Sequence, residues 1–339
     1  MIELIFWIFI FVVSLFLLIK GADWFVESSE KIALALKISP FIVGVTIVAI
    51  GTSFPEMASS IAAVLKGQTE IVGANVVGSN IANVLLIVGL SAVAAKTLIV
   101  KRSLIDVDLP LLASVTALFS FIILDKQVKL GEGILLLFAF LIYLLYTIFQ
   151  RKEEKGLTGE LIEILPEGTK IQVLPSRIER RESEIKKEPE KLTLKIFAFL
   201  IVGLLALISG ANYVIDSVVE IARVLKITPA LISITAVAVG TSLPELVVSV
   251  RAASQKKYEI SLGNIFGSNA FNLLAVVGIP ALIKPLSIDD LTFSVGLPFL
   301  IITTVLFVIS GISRRIHQWE GGMYLLLYIL FLAKLFNFF

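Results

Sequence analysis

The sequence predicts an all-α polytopic membrane protein: ten transmembrane helices arranged as two inverted five-helix repeats, with broken helices at a central site. Three observations predict it. First, 57% of the 339 residues are hydrophobic and only 17% charged, with a mean hydropathy of +0.97. Ordinary soluble domains reach roughly 45–50% apolar residues even with glycine counted. Second, apolar runs of about 17–25 residues, the length that crosses a bilayer, recur along most of the chain. A transmembrane β-barrel would show short alternating segments instead. Third, Gly51-Thr52-Ser53-Phe54-Pro55-Glu56 returns as Gly240-Thr241-Ser242-Leu243-Pro244-Glu245, 189 positions later. The same shift holds without a gap from Gly21/Gly210 through Lys37/Lys226, Pro40/Pro229 and Gly78/Gly267 to Gly89/Gly278, which is the mark of an internal duplication.

In chain order, residues 1–150 form the first repeat. Met1-Ile2-Glu3-Leu4 lacks the basic start of a signal peptide, so Leu4–Ile19 reads as the core of a retained first helix that continues into Gly21–Lys37. The second run spans about Pro40–Leu65, the third Ile71–Ala95, the fourth Leu109–Leu124 and the fifth Gly133–Phe149. Residues 151–191 are dense in Lys, Arg and Glu and form a water-exposed, cytosolic linker, in which Leu161–Leu165 and Ile171–Leu174 are candidates for a small hairpin around Glu167-Gly168. Residues 192–339 form the second repeat, with spans at about Leu194–Gly210, Pro229–Ala252, Ile260–Ile283, Leu291–Ser310 and Gly322–Phe336. Five spans per half is an odd number, so the second half enters the membrane from the opposite side. Inverted repeats of this kind place their binding site at mid-membrane where the halves meet. Basic residues favour cytosolic loops. They are richer in the loops holding Lys31, Lys37, Lys96, Lys101, Arg102, Arg251, Lys256, Lys257, Arg314 and Arg315 than in the opposite set, so both termini are expected outside.

Several functions are excluded by what the chain contains. It has no cysteine and one histidine, His317, so thiolate or imidazole metal sites are ruled out. No basic patch with interleaved aromatics points to nucleic acid. The linker has no Asp, hence no calcium loop of the EF-hand kind.

The chemistry concentrates in two segments, residues 51–83 and 240–272. Glu56 and Glu245 interrupt long apolar runs, and an ionisable residue within a membrane span is a functional candidate by default. The competing possibility is that both sit near a membrane surface and snorkel. Pro55 and Pro244 cannot donate to the carbonyls of Gly51 and Gly240, so a broken helix is expected at each motif, tolerated in a membrane only where it is buried or lines a cavity. Thr52 and Ser53 share a helix face with Glu56, and Ala49 joins it with its carbonyl. Ala238, Thr241, Ser242 and Glu245 repeat the set. The third and eighth spans add Asn75, Ser79 and Asn83, and Asn264, Ser268 and Asn272, each at four-residue spacing. These side chains either complete a site or bond helix to helix. Gly78 and Gly267 allow another helix to approach closely. Hard oxygen donors without sulfur or imidazole suit hard cations such as calcium, and the same oxygens, divided differently, could hold sodium ions. Protons are expected to compete for the two carboxylates at low pH.

Gly-Thr-Ser-x-Pro-Glu, paired with Asn-x-x-Gly-Ser-Asn and present twice, resembles the α-repeats of the sodium/calcium exchanger family, most closely its compact prokaryotic branch. The family usually has Gly before the first Asn; Gly263 keeps it and Ala74 does not. The resemblance implies central ligands at Glu56 and Glu245. Thr52, Ser53, Thr241 and Ser242 would coordinate from the broken helices, Ala49 and Ala238 through carbonyls, and Ser79, Asn83, Ser268 and Asn272 from the neighbouring spans. Some members, potassium-dependent ones among them, carry Asp where Asn272 stands, which argues against potassium co-transport. The proton-coupled branch's Gly-Asn-x-x-Glu pattern is absent. The expected function is exchange of Na+ for Ca2+ across the cell membrane by alternating access, with the first and sixth spans sliding as a pair. The alternative is H+/Ca2+ antiport at the same site. No enzyme activity, no cofactor beyond the transported Ca2+ and Na+, and no protein partner beside the lipid bilayer are expected.

Overall fold

A computed structural model describes residues 2–100, 108–163, 192–225 and 242–336. The first apolar run, uninterrupted by proline, forms one long helix, α1 (Ile2–Ala35). Pro40 opens α2 (Pro40–Thr52), and a bend of 42° separates it from α3 (Phe54–Leu65). α4 (Glu70–Ala95) follows, then strand β1 (Thr97–Ile99), α5 (Leu109–Asp125), strand β2 (Gln127–Val128) and α6 (Leu130–Glu163). After the linker come α7 (Leu194–Val224), α8 (Leu243–Ser254), α9 (Tyr258–Ile283), strand β3 (Leu286–Ser287), α10 (Thr292–Ile312), strand β4 (Arg315–His317) and α11 (Gln318–Leu335).

Among the described residues six helices are long and apolar enough to cross a membrane, seven if the bent α2–α3 pair counts as one span. Their surfaces are those of a protein dissolved in lipid: Phe6, Phe9, Val12 and Phe16 on α1, and Ile302, Val305 and Ile309 on α10, are exposed. α4 and α9 form the inner layer. Their apolar stretches are 78% and 89% buried, against 17% for α1 and 28% for α7.

α1 and α7 lie against each other over much of their length with almost no side-chain spacing. A Cβ on Gly21 would stand 2.6 Å from the backbone nitrogen of Leu207, and one on Gly210 would stand 2.7 Å from that of Leu18. This is the close backbone approach that small residues permit in membranes. An ion pair closes one end of the pair, Arg223 to Glu3 at 3.0 Å. Farther along α1, Asp23 receives Arg251 of α8 at 2.6 Å and Glu30 receives Lys257 at 2.8 Å.

Two short antiparallel sheets tie the halves together. β1 pairs with β4, Leu98 facing Ile316, and β2 pairs with β3, Gln127 facing Ser287. The 189-residue shift carries Leu98 onto Ser287 and Ile316 back onto Gln127, so exchanging the halves exchanges the sheets. Among the described residues α5 is the one helix between β1 and β2, so the chain passes from one sheet to the other along it.

The linker departs from expectation at its start. Arg151–Glu163 continues α6, because its Lys, Glu and Leu residues are good helix formers. Leu161–Glu163 is therefore helical and not the start of a hairpin; the remainder of that hairpin, Ile164–Leu174, lies outside the described residues.

Candidate cation site

The helix break falls at Ser53, whose φ of −87° and ψ of 9° leave the helical range. Pro55 then occupies the first turn of α3, where its missing N–H costs nothing. Ser242 has nearly the same backbone, φ −94° and ψ 12°, ahead of α8 with Pro244 in its first turn. Glu56 and Glu245 thus each stand in the first turn of a half-helix, where unpaired N–H groups and the helix dipole favour a negative charge. Neither snorkels: Glu56 is 1% exposed and Glu245 2%.

α2 can bring its polar face to α9 because glycine lines the contact. A Cβ on Gly267 would collide with the Val45 carbonyl and the Ala49 methyl. The approach sets up a buried network between the halves. Ser53 Oγ donates to Glu245 Oε1 at 2.7 Å and shares a hydrogen bond with Ser268 Oγ at 2.9 Å. Thr52 Oγ1 donates to Asn264 Oδ1 at 3.0 Å, and Asn264 Nδ2 donates to Ser249 Oγ at 2.9 Å. Asn264 therefore bonds helix to helix, whereas its counterpart Asn75 is only half-buried. The Ala49 carbonyl is not bare; it accepts Ser53 N at 2.9 Å and lies 3.3 Å from Thr52 Oγ1.

Among the described residues both carboxylate oxygens of Glu56, Oε2 of Glu245, Oδ1 of Asn83 and Oδ1 of Asn272 are buried with no hydrogen-bond partner. They come from four helices: α3, α8, α4 and α9. Buried polar groups are paired in the great majority of cases, so this set of acceptors without donors is suited to a hard cation. Ser79, one turn before Asn83 on α4, and Ser242, immediately before α8 and without a capping hydrogen bond, are also buried. Thr241 and Ala238 lie outside the described residues, and among the described residues nothing stands within 4 Å of a Cβ added to Gly78, unlike Gly267.

Two features were not anticipated from sequence. α4 and α9 widen to π-helical turns at Asn83–Val88 and Asn272–Val276, each beginning at a candidate ligand. Such turns are frequent at functional sites. Asn80 and Asn269 are also buried in the cluster, with Asn83 Nδ2 donating to Asn269 Oδ1 at 3.0 Å. The repeated Gly-Ser-Asn triplet was the available signal for both.

Comparison with known proteins agrees with this geometry. The model of the "Sodium/calcium exchanger protein" family matches twice, over residues 6–149 and 195–337. The sodium/calcium exchanger MaX1 of Methanosarcina acetivorans is 35% identical, over 96% of this chain and 97% of that protein. Inner membrane protein YrbG of Escherichia coli is 31% identical over 96% and 95%. The solved structure of the sodium/calcium exchanger from Methanococcus jannaschii superposes with a TM-score of 0.78 at 30% identity, covering 97% of this chain and 98% of that one. A transporter and not an enzyme, this chain belongs to the sodium/calcium exchanger family.

Proposed function

We propose that this chain is a sodium-driven calcium antiporter of the cell membrane, exchanging Na+ for Ca2+ by alternating access at a site built from both halves. The observation that carries the proposal is the pair Glu56 and Glu245: two carboxylates, one per half, enclosed at 1% and 2% exposure with three of their four oxygens lacking a partner among the described residues. Two buried negative charges need a countercharge, and a dehydrated calcium ion or sodium ions would supply it. Without an ion, the doubly charged site resists crossing the membrane, and this couples the two fluxes. The ligand set is Glu56, Glu245, Thr52, Ser53, Thr241, Ser242, Ser79, Ser268, Asn83, Asn272, Ala49 and Ala238.

The frame is two inverted five-span repeats. The exchange of the two sheets under the sequence repeat, together with the passage of the chain from one to the other along α5, supports it. Both termini then lie outside and the linker in the cytosol. α1 and α7 slide as one body past the site.

Sodium-gradient-driven 45Ca2+ uptake into proteoliposomes tests the proposal. Glu56→Gln and Glu245→Gln are each expected to abolish it, and undiminished uptake in either would reject the assignment. The same vesicles distinguish the coupling ion: calcium uptake driven by a pH gradient with no sodium present would replace sodium by protons.

A further inference from the structure

An asparagine ligand has a problem that a carboxylate lacks. Its amide oxygen and nitrogen are nearly the same size, but only the oxygen can face a cation. In the ion-free site an unconstrained amide presents its NH2 group to the ion position for much of the time, and binding must first turn it. Asn83 has such a constraint. Its Nδ2 donates to Asn269 Oδ1 at 3.0 Å, and its Oδ1 is left buried and unpartnered. Asn269 is itself 2% exposed and sits three residues before Asn272 on α9.

The sequence repeat places Asn80 as the counterpart of Asn269 and Asn272 as that of Asn83. In this structure the counterpart pair is open. Asn80 is 1% exposed, and neither its Oδ1 nor its Nδ2 has a partner among the described residues, nor has Oδ1 of Asn272. A buried amide that finds no partner is costly, and among the described residues Asn80 finds none.

We propose that Asn269 and Asn80 are positioning residues that do not touch the ion, and that each turns the amide oxygen of the asparagine on the facing helix, Asn83 or Asn272, toward it. The Asn83–Asn269 pair is closed here, and the Asn272–Asn80 pair closes in another state of the transport cycle. This inference rests on the cation site proposed above. Partners that orient metal ligands typically change affinity by about 10–100-fold when removed.

The test is the calcium dependence of sodium-driven uptake in proteoliposomes. Asn269→Leu keeps the branched heavy-atom skeleton, at somewhat larger volume, and removes the acceptor; it should raise the half-saturating calcium concentration about ten-fold with maximal flux within about two-fold. Asn269→Asp, which keeps the acceptor, should stay within about three-fold of the parent. Asn80→Leu should raise half-saturation to a similar degree. An Asp at position 83 has no wrong face, so in the Asn83→Asp background the penalty of Asn269→Leu should shrink to within about two-fold, a coupling that a packing defect would not produce. If the leucine variant does not fold, Asn269→Ala removes the same acceptor without bulk. Parental half-saturation in Asn269→Leu or Asn269→Ala, or equal losses in the Leu and Asp variants, would overturn the positioning role while leaving the cation site intact. A parent protein that moves no calcium would remove the site, and this inference with it.

Discussion

At the scale of single residues, Ser53 shows how one hydroxyl serves both halves: it reaches Glu245 at 2.7 Å and Ser268 at 2.9 Å. Hydrogen bonds to charged groups contribute about 1.5–3 kcal/mol. Ser53→Ala should therefore weaken calcium affinity by roughly ten-fold or more, read as the half-saturating concentration in uptake. Ser59→Ala serves as a control, since among the described residues that hydroxyl bonds the carbonyl of Glu56 at 3.0 Å. Thr52, Ser53 and Glu56 were legible in the sequence because spacings of three and four align side chains and because an acid within an apolar run is conspicuous. Asn80 and Asn269 were not. They stand one position off the Asn75–Ser79–Asn83 and Asn264–Ser268–Asn272 ladders, and their value lies in which helix crosses them, a tertiary fact.

At the scale of elements, the apolar runs located most helices to within a few residues, but their ends and partners needed the structure. α6 outruns its apolar stretch because Arg151–Glu163 suits a helix in water as well as the run before it suits one in lipid. Nor could a sequence say that α1 and α7 meet backbone to backbone, since Gly21, Gly203 and Gly210 are equally compatible with a loosened helix. The seam has a mechanical consequence. Contacts across α1–α7, such as the edge-to-face pair Trp24–Phe199 at 6.0 Å, would move with the proposed sliding body. The Asp23–Arg251 pair joins that body to α8, which carries Glu245. The chain has no cysteine, so paired cysteines can be bridged without background. Bridging Trp24→Cys to Phe199→Cys with a short thiol reagent should leave exchange within about two-fold, because the close-packed pair moves as one. Bridging Asp23→Cys to Arg251→Cys should stop it, and reduction of a cleavable bridge should restore it. Equal inhibition by both bridges would mean that α1 and α7 do not move together.

At the scale of the whole molecule, an odd number of expected spans per half led to the expectation of inversion, but the sequence offered no contact that tests it. The strand pairs are a contact that the proposed inversion accounts for. β1 meets β4 and β2 meets β3, with Leu98 opposite Ile316 and Gln127 opposite Ser287, and the repeat turns each pair into the other. A tandem duplication with both halves in the same orientation would bring repeat-equivalent loops to one side of the membrane. Here β1 pairs with β4 and its own repeat equivalent, β3, pairs with β2, which in the proposed frame sets the two sheets on opposite sides. Position 127 on β2, position 290 after β3, position 99 on β1 and position 315 on β4 are all exposed, so single cysteines at each can report their side. In intact cells a membrane-impermeant thiol reagent should label Gln127→Cys and Asp290→Cys. Ile99→Cys and Arg315→Cys should be labelled only after the membrane is opened, since the loops richer in Lys and Arg are held in the cytosol. The four positions must divide two and two. The opposite assignment, with 99 and 315 outside, would keep the inverted frame and reverse its orientation. Labelling of 127 and 315 from the same side would break the frame itself, and with it the reason for expecting Glu56 and Glu245 to approach one ion from opposite directions.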